Sequence, residues 1–329
     1  MNTNGKDVLQ SAELIIGKLL AVKTGENLMI ICDPGSEMEM VYTLAEVAQK
    51  AGAEYTIAMM PSRGHARKNE LTAPIVQGLQ ATDCLIGITG HSGAPTYAKA
   101  VKNLFNAKKV RSISMVMRSM ENFTQGGALA DYDLLYKEGK QLAAFWEKAE
   151  TIHVTTPSGT DIRAPIAGEK VFVECGFATE PGMEAAFSDG EVSQMPRVNT
   201  AQGTIVVEGP IAHIGKPACP ISIRVENGRV LSIEGTCSQA DELREIVETI
   251  DNAANIAEIG IGLNPMSRHN DDFEEEKKAR GYVHFALGDN IFYGGDVYSP
   301  VHIDMVIYQP TVTLDDRVVV DRGQVQIPD

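Results

Sequence analysis

The sequence predicts an α/β N-terminal domain with a parallel-type sheet, followed by a β-rich α+β domain that binds metal. Three observations carry this. From about residue 8 to 148, helical stretches alternate with short apolar runs that end at glycine or proline loops. After Thr151 the runs become β-prone and are separated by turn signals. In the last third, carboxylates and imidazoles interrupt three apolar runs.

In the first part, Asn27 to Cys32, Glu54 to Met60, Asp83 to Thr89 and Val110 to Met117 read as strands. Their near-continuous apolar character suits a sheet covered on both faces. Glu37 to Ala51, Pro74 to Gln80 and Pro95 to Phe105 read as helices between them, and a longer helix is expected from Tyr132 to Ala149. The domain boundary falls near Ala149 to Thr151, giving domains 1–150 and 151–329. Beyond it, Thr151 to Thr156, Val171 to Cys175, Gly203 to Val207, Ile221 to Val225 and Val230 to Glu234 read as strands. Glu226-Asn227-Gly228-Arg229 is a hairpin turn, because both central residues tolerate positive φ. One helix interrupts the strands, from about Ala240 to Ile250.

The chain has 329 residues and a formal charge of -15, with its basic residues scattered. That excludes a nucleic-acid partner, whose phosphates require clustered Lys and Arg. No apolar run is long enough to span a bilayer, and the first residues lack a signal-like apolar core, so a cytoplasmic location is expected. Cys32, Cys84, Cys175, Cys219 and Cys237 form no CxxC pair and are odd in number, which suits reduced thiols serving as small core residues.

The glycine loops Cys32-Asp33-Pro34-Gly35 and Gly87-Ile88-Thr89-Gly90-His91-Ser92-Gly93 stand at strand ends, where open α/β sheets place ligands. Neither matches a nucleotide fingerprint, and no GxSxG elbow occurs. His91 is a candidate substrate contact in its loop, reaching a cleft between the domains.

The three interrupted runs are Ala257-Glu258-Ile259-Gly260, Tyr282-Val283-His284-Phe285 and Val301-His302-Ile303-Asp304-Met305. Strand periodicity puts His302 and Asp304 on one face and Val301, Ile303 and Met305 on the other. Buried acids and imidazoles need partners. Arg268, Lys277, Lys278 and Arg280 lie in a polar stretch that reads as an exposed, partly helical connection, so a cation is the expected partner.

Taken in order, Gly190-Glu191-Val192 through Pro196, Glu258 with its flanking glycines, His284-Phe285-Ala286-Leu287-Gly288 and Ser299 through Asp304 resemble the metal-site motifs of the thermophilic metalloprotease family of aminopeptidases T and S. The resemblance covers mostly the region from Thr151 onward. It implies Glu191, Glu258, His284, His302 and Asp304 as ligands of two divalent metals, zinc, cobalt or manganese, in a homodimer. The same region is similar to 2,5-dihydroxypyridine 5,6-dioxygenase, with further likeness at His153-Val154, Ser158-Gly159-Thr160-Asp161, Ala164-Pro165 and Glu180-Pro181-Gly182. That second resemblance implies one Fe(II) on two histidines and one carboxylate, with histidine at the place of Glu258 and apolar residues at those of Glu191 and His284.

Three carboxylates balance two divalent metals and a hydroxide, whereas a single-iron oxygenase ordinarily uses one carboxylate. The expected activity is therefore hydrolysis of a small amide, peptide or cyclic amide by metal-activated water, with Glu258 as proton shuttle and His91 assisting. Ring-cleaving dioxygenation with Fe(II) is the alternative. The aminopeptidase pattern has a tyrosine and a glutamate where this chain has Ile291 and Ala279, with Tyr293 and Glu276 near but out of register. These departures point away from ordinary peptide cleavage. The substrate is a small molecule or short peptide.

Overall fold

The structure is a computed structural model that describes residues 4–63, 70–90, 94–116 and 119–327. The chain divides into two compact units, Met1–Leu129 with Cys175–Asp189, and Ala130–Glu174 with Gly190–Asp329.

The first unit is built on one parallel sheet. It opens with α1 (Asn4–Leu14), whose last turn runs on into a π-helical segment, Ile15–Leu19, that buries Ile15, Ile16 and Leu19. Strands β1 (Asn27–Cys32), β2 (Glu54–Met59), β3 (Cys84–Thr89) and β4 (Arg111–Val116) match the apolar runs, with β3 central between β1 and β4. All of β3 is buried, whereas β2 at the sheet edge is largely open, as its Glu54-Tyr55-Thr56 start requires. Helix α2 (Met38–Lys50) turns Met40, Val41, Leu44, Ala45 and Ala48 inward at the spacing of one helical face. Helix α3 (Ala73–Gly78) is shorter than expected and passes into a 3-10 turn. The predicted helix from Pro95 is divided into a 3-10 turn, Pro95–Tyr97, and α4 (Lys99–Asn106). A short α5 (Met120–Thr124) follows β4.

One buried cation ties this unit together. Arg111 donates to the carbonyls of Leu20 and Ala21 at 2.8 and 2.9 Å and to both Glu26 oxygens at 3.0 and 2.6 Å. Its guanidinium is thereby satisfied where an unpaired charge would cost several kcal/mol. The two strand-end glycine loops are also tied to each other: Asp33 Oδ1 accepts from the amides of Gly35 and Gly90, both at 3.0 Å.

The second unit begins before the expected boundary. Helix α6 (Tyr132–Trp146), capped by Asp131, belongs to it. Strands β5 (Thr151–Thr155) and β6 (Asp161–Pro165) form a hairpin, and β7 (Phe172–Glu174) follows. The chain then returns to the first unit, where β8 (Glu184–Ala186) adds in parallel to β4 at the edge. That return is the reason a single cut near residue 150 does not describe the units.

After β9 (Glu191–Gln194), strands β10 (Gln202–Val207), β11 (Ile221–Glu226) and β12 (Arg229–Glu234) form a meander. Asn227 and Gly228 take φ of 50° and 69° in the predicted turn. Helix α7 (Ser238–Thr249), β13 (Ile256–Gly262), α8 (Phe273–Glu276), β14 (Val283–Gly288), β15 (His302–Ile307), β16 (Thr311–Leu314), β17 (Arg317–Asp321) and β18 (Gln324–Val325) complete the chain. Two antiparallel sheets result, ordered β12-β11-β10-β6-β5-β16-β17-β18 and β15-β14-β13-β9-β7. The second sheet carries every one of the five expected metal ligands. Among the described residues no helix is long and apolar enough to cross a membrane.

Candidate metal centre

The five donors converge because four neighbouring strands present them on one face. Register places Glu191 of β9 opposite Gly262 of β13, His284 of β14 opposite Gly260, and His302 of β15 opposite Gly288. Ala286 lies between Glu258 on β13 and Asp304 on β15. On one side each donor therefore faces glycine or alanine, which leaves room for carboxylates and rings to meet above the sheet, although Glu191 is also opposite Glu174 and His284 opposite Val306. The space is fully used at Gly260, where a Cβ would overlap the His284 ring.

The side chains form one alternating line. Lys278 Nζ lies 2.7 Å from Glu191 Oε1, and Glu191 Oε2 lies 3.4 Å from His284 Nε2. The same His284 Nε2 is 3.0 Å from Glu258 Oε1, while Glu258 Oε2 is 2.9 Å from His302 Nε2. His302 Nε2 is 3.3 Å from Asp304 Oδ1, and Asp304 Oδ2 accepts from Lys277 Nζ at 3.1 Å. Ligand atoms of Glu191, Glu258 and His284 lie within 4.8 Å of one another, as do those of Glu258, His302 and Asp304. Glu258 is common to both groups.

Lys277 and Lys278 correct the expectation of an exposed connection. The Lys278 side chain is 3% exposed and that of Lys277 17%. They follow α8, whose Phe273 and Glu276 are buried, and this anchoring turns both ammonium groups into the sheet face. Arg268 is also engaged, donating to both oxygens of Glu275, and Arg280 pairs with Glu138. Charge alone does not say which lysine is buried, so no signal in the sequence marked these two.

Electrostatics follow from the line of contacts. Burial and the Asp304 carboxylate work to raise the pKa of Glu258, but His284 and His302 bring it down to about 2. Burial likewise opposes ionisation of Asp304, and Lys277 and His302 outweigh it, holding that carboxyl well below its usual range. The His302 imidazole is held high by Asp304 and Glu258 against burial, as His284 is by Glu191 and Glu258.

His302 also shows why a cation fits. Its Nδ1 lies 2.8 Å from the Asp289 carbonyl, which only accepts, so that nitrogen carries hydrogen. Its Nε2 then faces two carboxylates that also only accept. Either the ring is doubly protonated or a metal takes the Nε2 lone pair, and the carbonyl-anchored Nδ1–H is the usual support of a ligating imidazole. His302 is the open side of the centre, with its side chain 33% exposed, whereas His284 is fully buried.

A second layer was not fully legible in the sequence. Tyr293, out of register by motif, is buried and stacks on His302 with ring centroids 6.3 Å apart. Its hydroxyl lies 3.3 Å from Ser193 Oγ, and Ser193 Oγ donates to Glu174 Oε2 at 2.9 Å. Burial first, then Glu258, Glu174 and Glu191, keep the phenol protonated far above its ordinary range. Glu276 is buried elsewhere: it accepts from the amides of Asn270 and Asp271 and from Tyr308 Oη at 2.6 Å. It groups with His269 and Asp271. Asp271, however, is paired with Lys216 at 2.6 Å, so this group reads as a fixed turn. His91 lies outside the described residues.

The family described as NicX, 2,5-dihydroxypyridine 5,6-dioxygenase, matches residues 16–327, nearly the whole chain. The chain belongs to this dioxygenase family. A curated 2,5-dihydroxypyridine 5,6-dioxygenase of Pseudomonas putida KT2440 is 29% identical over 197 residues. The match spans 56% of this chain and only about half, 56%, of that relative. The solved structure of 2,5-dihydroxypyridine dioxygenase from the same bacterium covers 100% of this chain and 99% of its own, with TM-score 0.83 and 21% identity. Wild-type AmpT from Thermus thermophilus covers 98% and 99%, with TM-score 0.69 and 16% identity.

Membership overturns the expected hydrolase. The aminopeptidase likeness survives as a shared fold with AmpT, at an identity that carries no activity. The three acids that favoured a hydrolase are partly balanced by two buried lysines, Lys278 on Glu191 and Lys277 on Asp304. The mixed α/β fold, with one parallel sheet and antiparallel sheets, agrees with both solved structures.

Proposed function

We propose that this chain is a ring-cleaving dioxygenase that uses one Fe(II) and acts on a dihydroxylated pyridine such as 2,5-dihydroxypyridine. The observation that carries this is the pairing of Lys278 with Glu191 and of Lys277 with Asp304. Three carboxylates and two ammonium groups leave a single negative charge. One divalent ion converts it to a single positive charge, suited to an anionic hydroxypyridine. Two ions would leave three positive charges in a buried site, which is costly without further anions. The charge balance that favoured two metals therefore favours one once the lysines are counted.

Glu258, His302 and Asp304 are the proposed ligands, since their atoms are mutually close and His302 borders the open side. These are the positions that the dioxygenase resemblance implies, with Glu258 in place of a histidine. Fe(II), when bound, supplies the redox chemistry by which oxygen and an electron-rich ring react. The chain's own residues do the rest. His284 Nε2 hydrogen-bonds Glu258 and fixes that carboxylate. Lys277 fixes Asp304 and stays protonated, because burial is outweighed by Asp304 and Glu191. Tyr293 backs the His302 ring and closes its buried side to water.

The test is anaerobic purification, metal analysis and oxygen-electrode assay with 2,5-dihydroxypyridine. The expected result is about one iron per chain and consumption of one O2 per ring opened. Turnover that proceeds equally without oxygen, or an inert iron-loaded protein, overturns the proposal.

A further inference from the structure

Two cysteines that the sequence offered only as core residues face each other at the open end of a hairpin. Strands β11 and β12 pair Ser222 with Glu234, Ile223 with Ile233 and Arg224 with Ser232. Continued outward by three residues on each side, that register sets Cys219 opposite Cys237. Directly opposed residues of an antiparallel pair hold their Cβ atoms about 4.5–5.5 Å apart, close to the separation of about 3.5–4.5 Å that a disulfide needs. The side chains complete the approach: the two Sγ atoms are 2.7 Å apart, closer than unbonded sulfurs pack. Cys237 is buried at the N-cap of α7, and Cys219 is half-buried.

We propose that Cys219 and Cys237 are a modification site, a dithiol that forms a reversible disulfide by exchange with a low-molecular-weight disulfide. Cys219 is the entry point because it is the more accessible sulfur, and its hydrogen bond with Cys237 lowers its pKa, favouring the nucleophilic thiolate. The Cys219 thiolate attacks one sulfur of the external disulfide, forming a mixed disulfide and releasing one small thiol. Cys237 then gives up its proton and attacks the Cys219 sulfur, releasing the second small thiol. Two protein thiols are oxidised, and one external disulfide is reduced to two thiols.

The bond locks the segment that leads into β11. That segment begins beside the strand carrying Asp304, where Ala212 donates its amide to the Asp304 carbonyl at 2.9 Å, and is held further along by Lys216 on Asp271. Oxidation would fix its far end to α7.

The experiment treats the full chain with oxidised glutathione, quenches with acid, and maps peptides without reduction. The expected product links Cys219 to Cys237 with loss of two hydrogens, consumes two of the five thiols, melts several degrees higher than the reduced protein, and reverts with dithiothreitol. Cys237→Ser should stall as a glutathione adduct on Cys219, and Cys219→Ser should leave Cys237 unmodified. A wild-type product that remains a glutathione adduct, a link involving Cys32, Cys84 or Cys175, or no reaction overturns the proposal.

Discussion

Gly260 lies directly across the β13–β14 pair from His284, and the imidazole fills the volume that a Cβ at residue 260 would require. Glycine is therefore fixed here by the neighbouring ring. Gly260→Ala should push the ring off Glu258 and cost about 1–3 kcal/mol of stability, the ordinary penalty of overpacking. Activity should fall by roughly 10–100-fold, as for loss of an outer-layer contact to a ligand. Thermal melting and iron content measured together check this, and unchanged values in both would mean that the sheet yields without moving His284.

The Lys278–Glu191 pair supplies the next prediction. Both side chains are almost wholly buried at 2.7 Å, so Lys278→Met leaves a carboxylate without its cation. A loss of about 3–5 kcal/mol is expected. Lys278→Met combined with Glu191→Gln should recover much of that loss, because the uncompensated charge is gone. A denaturation double-mutant cycle reads the coupling directly, and an additive double variant would show that the pair is not what stabilises this face.

How much of this was visible in the sequence depends on where the determining contacts lie. β1 was legible to the residue, because an apolar run between turn signals is a local property. So was the Asn227-Gly228 turn. β8 was not, since Glu184-Ala185-Ala186 has no pattern of its own and becomes a strand only by pairing with β4. Glu258, His284, His302 and Asp304 stand in runs of strand period and were legible from that pattern, whereas Glu191 came only with the family resemblance; the five side chains do converge. What misled was the stretch from Arg268 to Arg280. Its polar composition is that of a solvent-facing loop, and only α8's buried anchor turns Lys277 and Lys278 inward. The same limit hid the Cys219–Cys237 pair, whose 18-residue separation becomes adjacency only through hairpin register.

Metal linkage gives a prediction independent of turnover. A ligand that binds only the folded state at a hundred times its Kd stabilises by about 2.7 kcal/mol. For a unit of this size that is a rise in melting temperature of roughly 5–10 °C. Chelator-treated protein should therefore melt lower and recover with one equivalent of Fe(II) added anaerobically. His302→Ala, which removes the proposed ligand on the open side, should abolish the shift, and it should also lower the chelated melting point because Glu258 and Asp304 lose the imidazole between them. A second stabilising equivalent in the wild type would argue for two metals.

Glu184 sets a pH dependence in the first unit. Its Oε1 is buried without a hydrogen-bond partner among the described residues, and burial pushes the carboxyl up to about 7 from 4.5, with the Thr96 hydroxyl and the Lys102 charge pulling the other way. A raised acid means that the folded state holds the proton more tightly than the unfolded chain. Stability is then unpenalised below about pH 4.5, falls as pH rises toward 7, and stays lowered above it. The loss is on the order of 1–3 kcal/mol after allowance for partial exposure. Glu184→Gln keeps the shape and removes the titration, so it should raise stability at pH 8 by that amount and change little at pH 4.5. Chemical denaturation across this range tests the sign as well as the size: a variant that loses stability at pH 8 would show that the ionised carboxylate is stabilised where it stands.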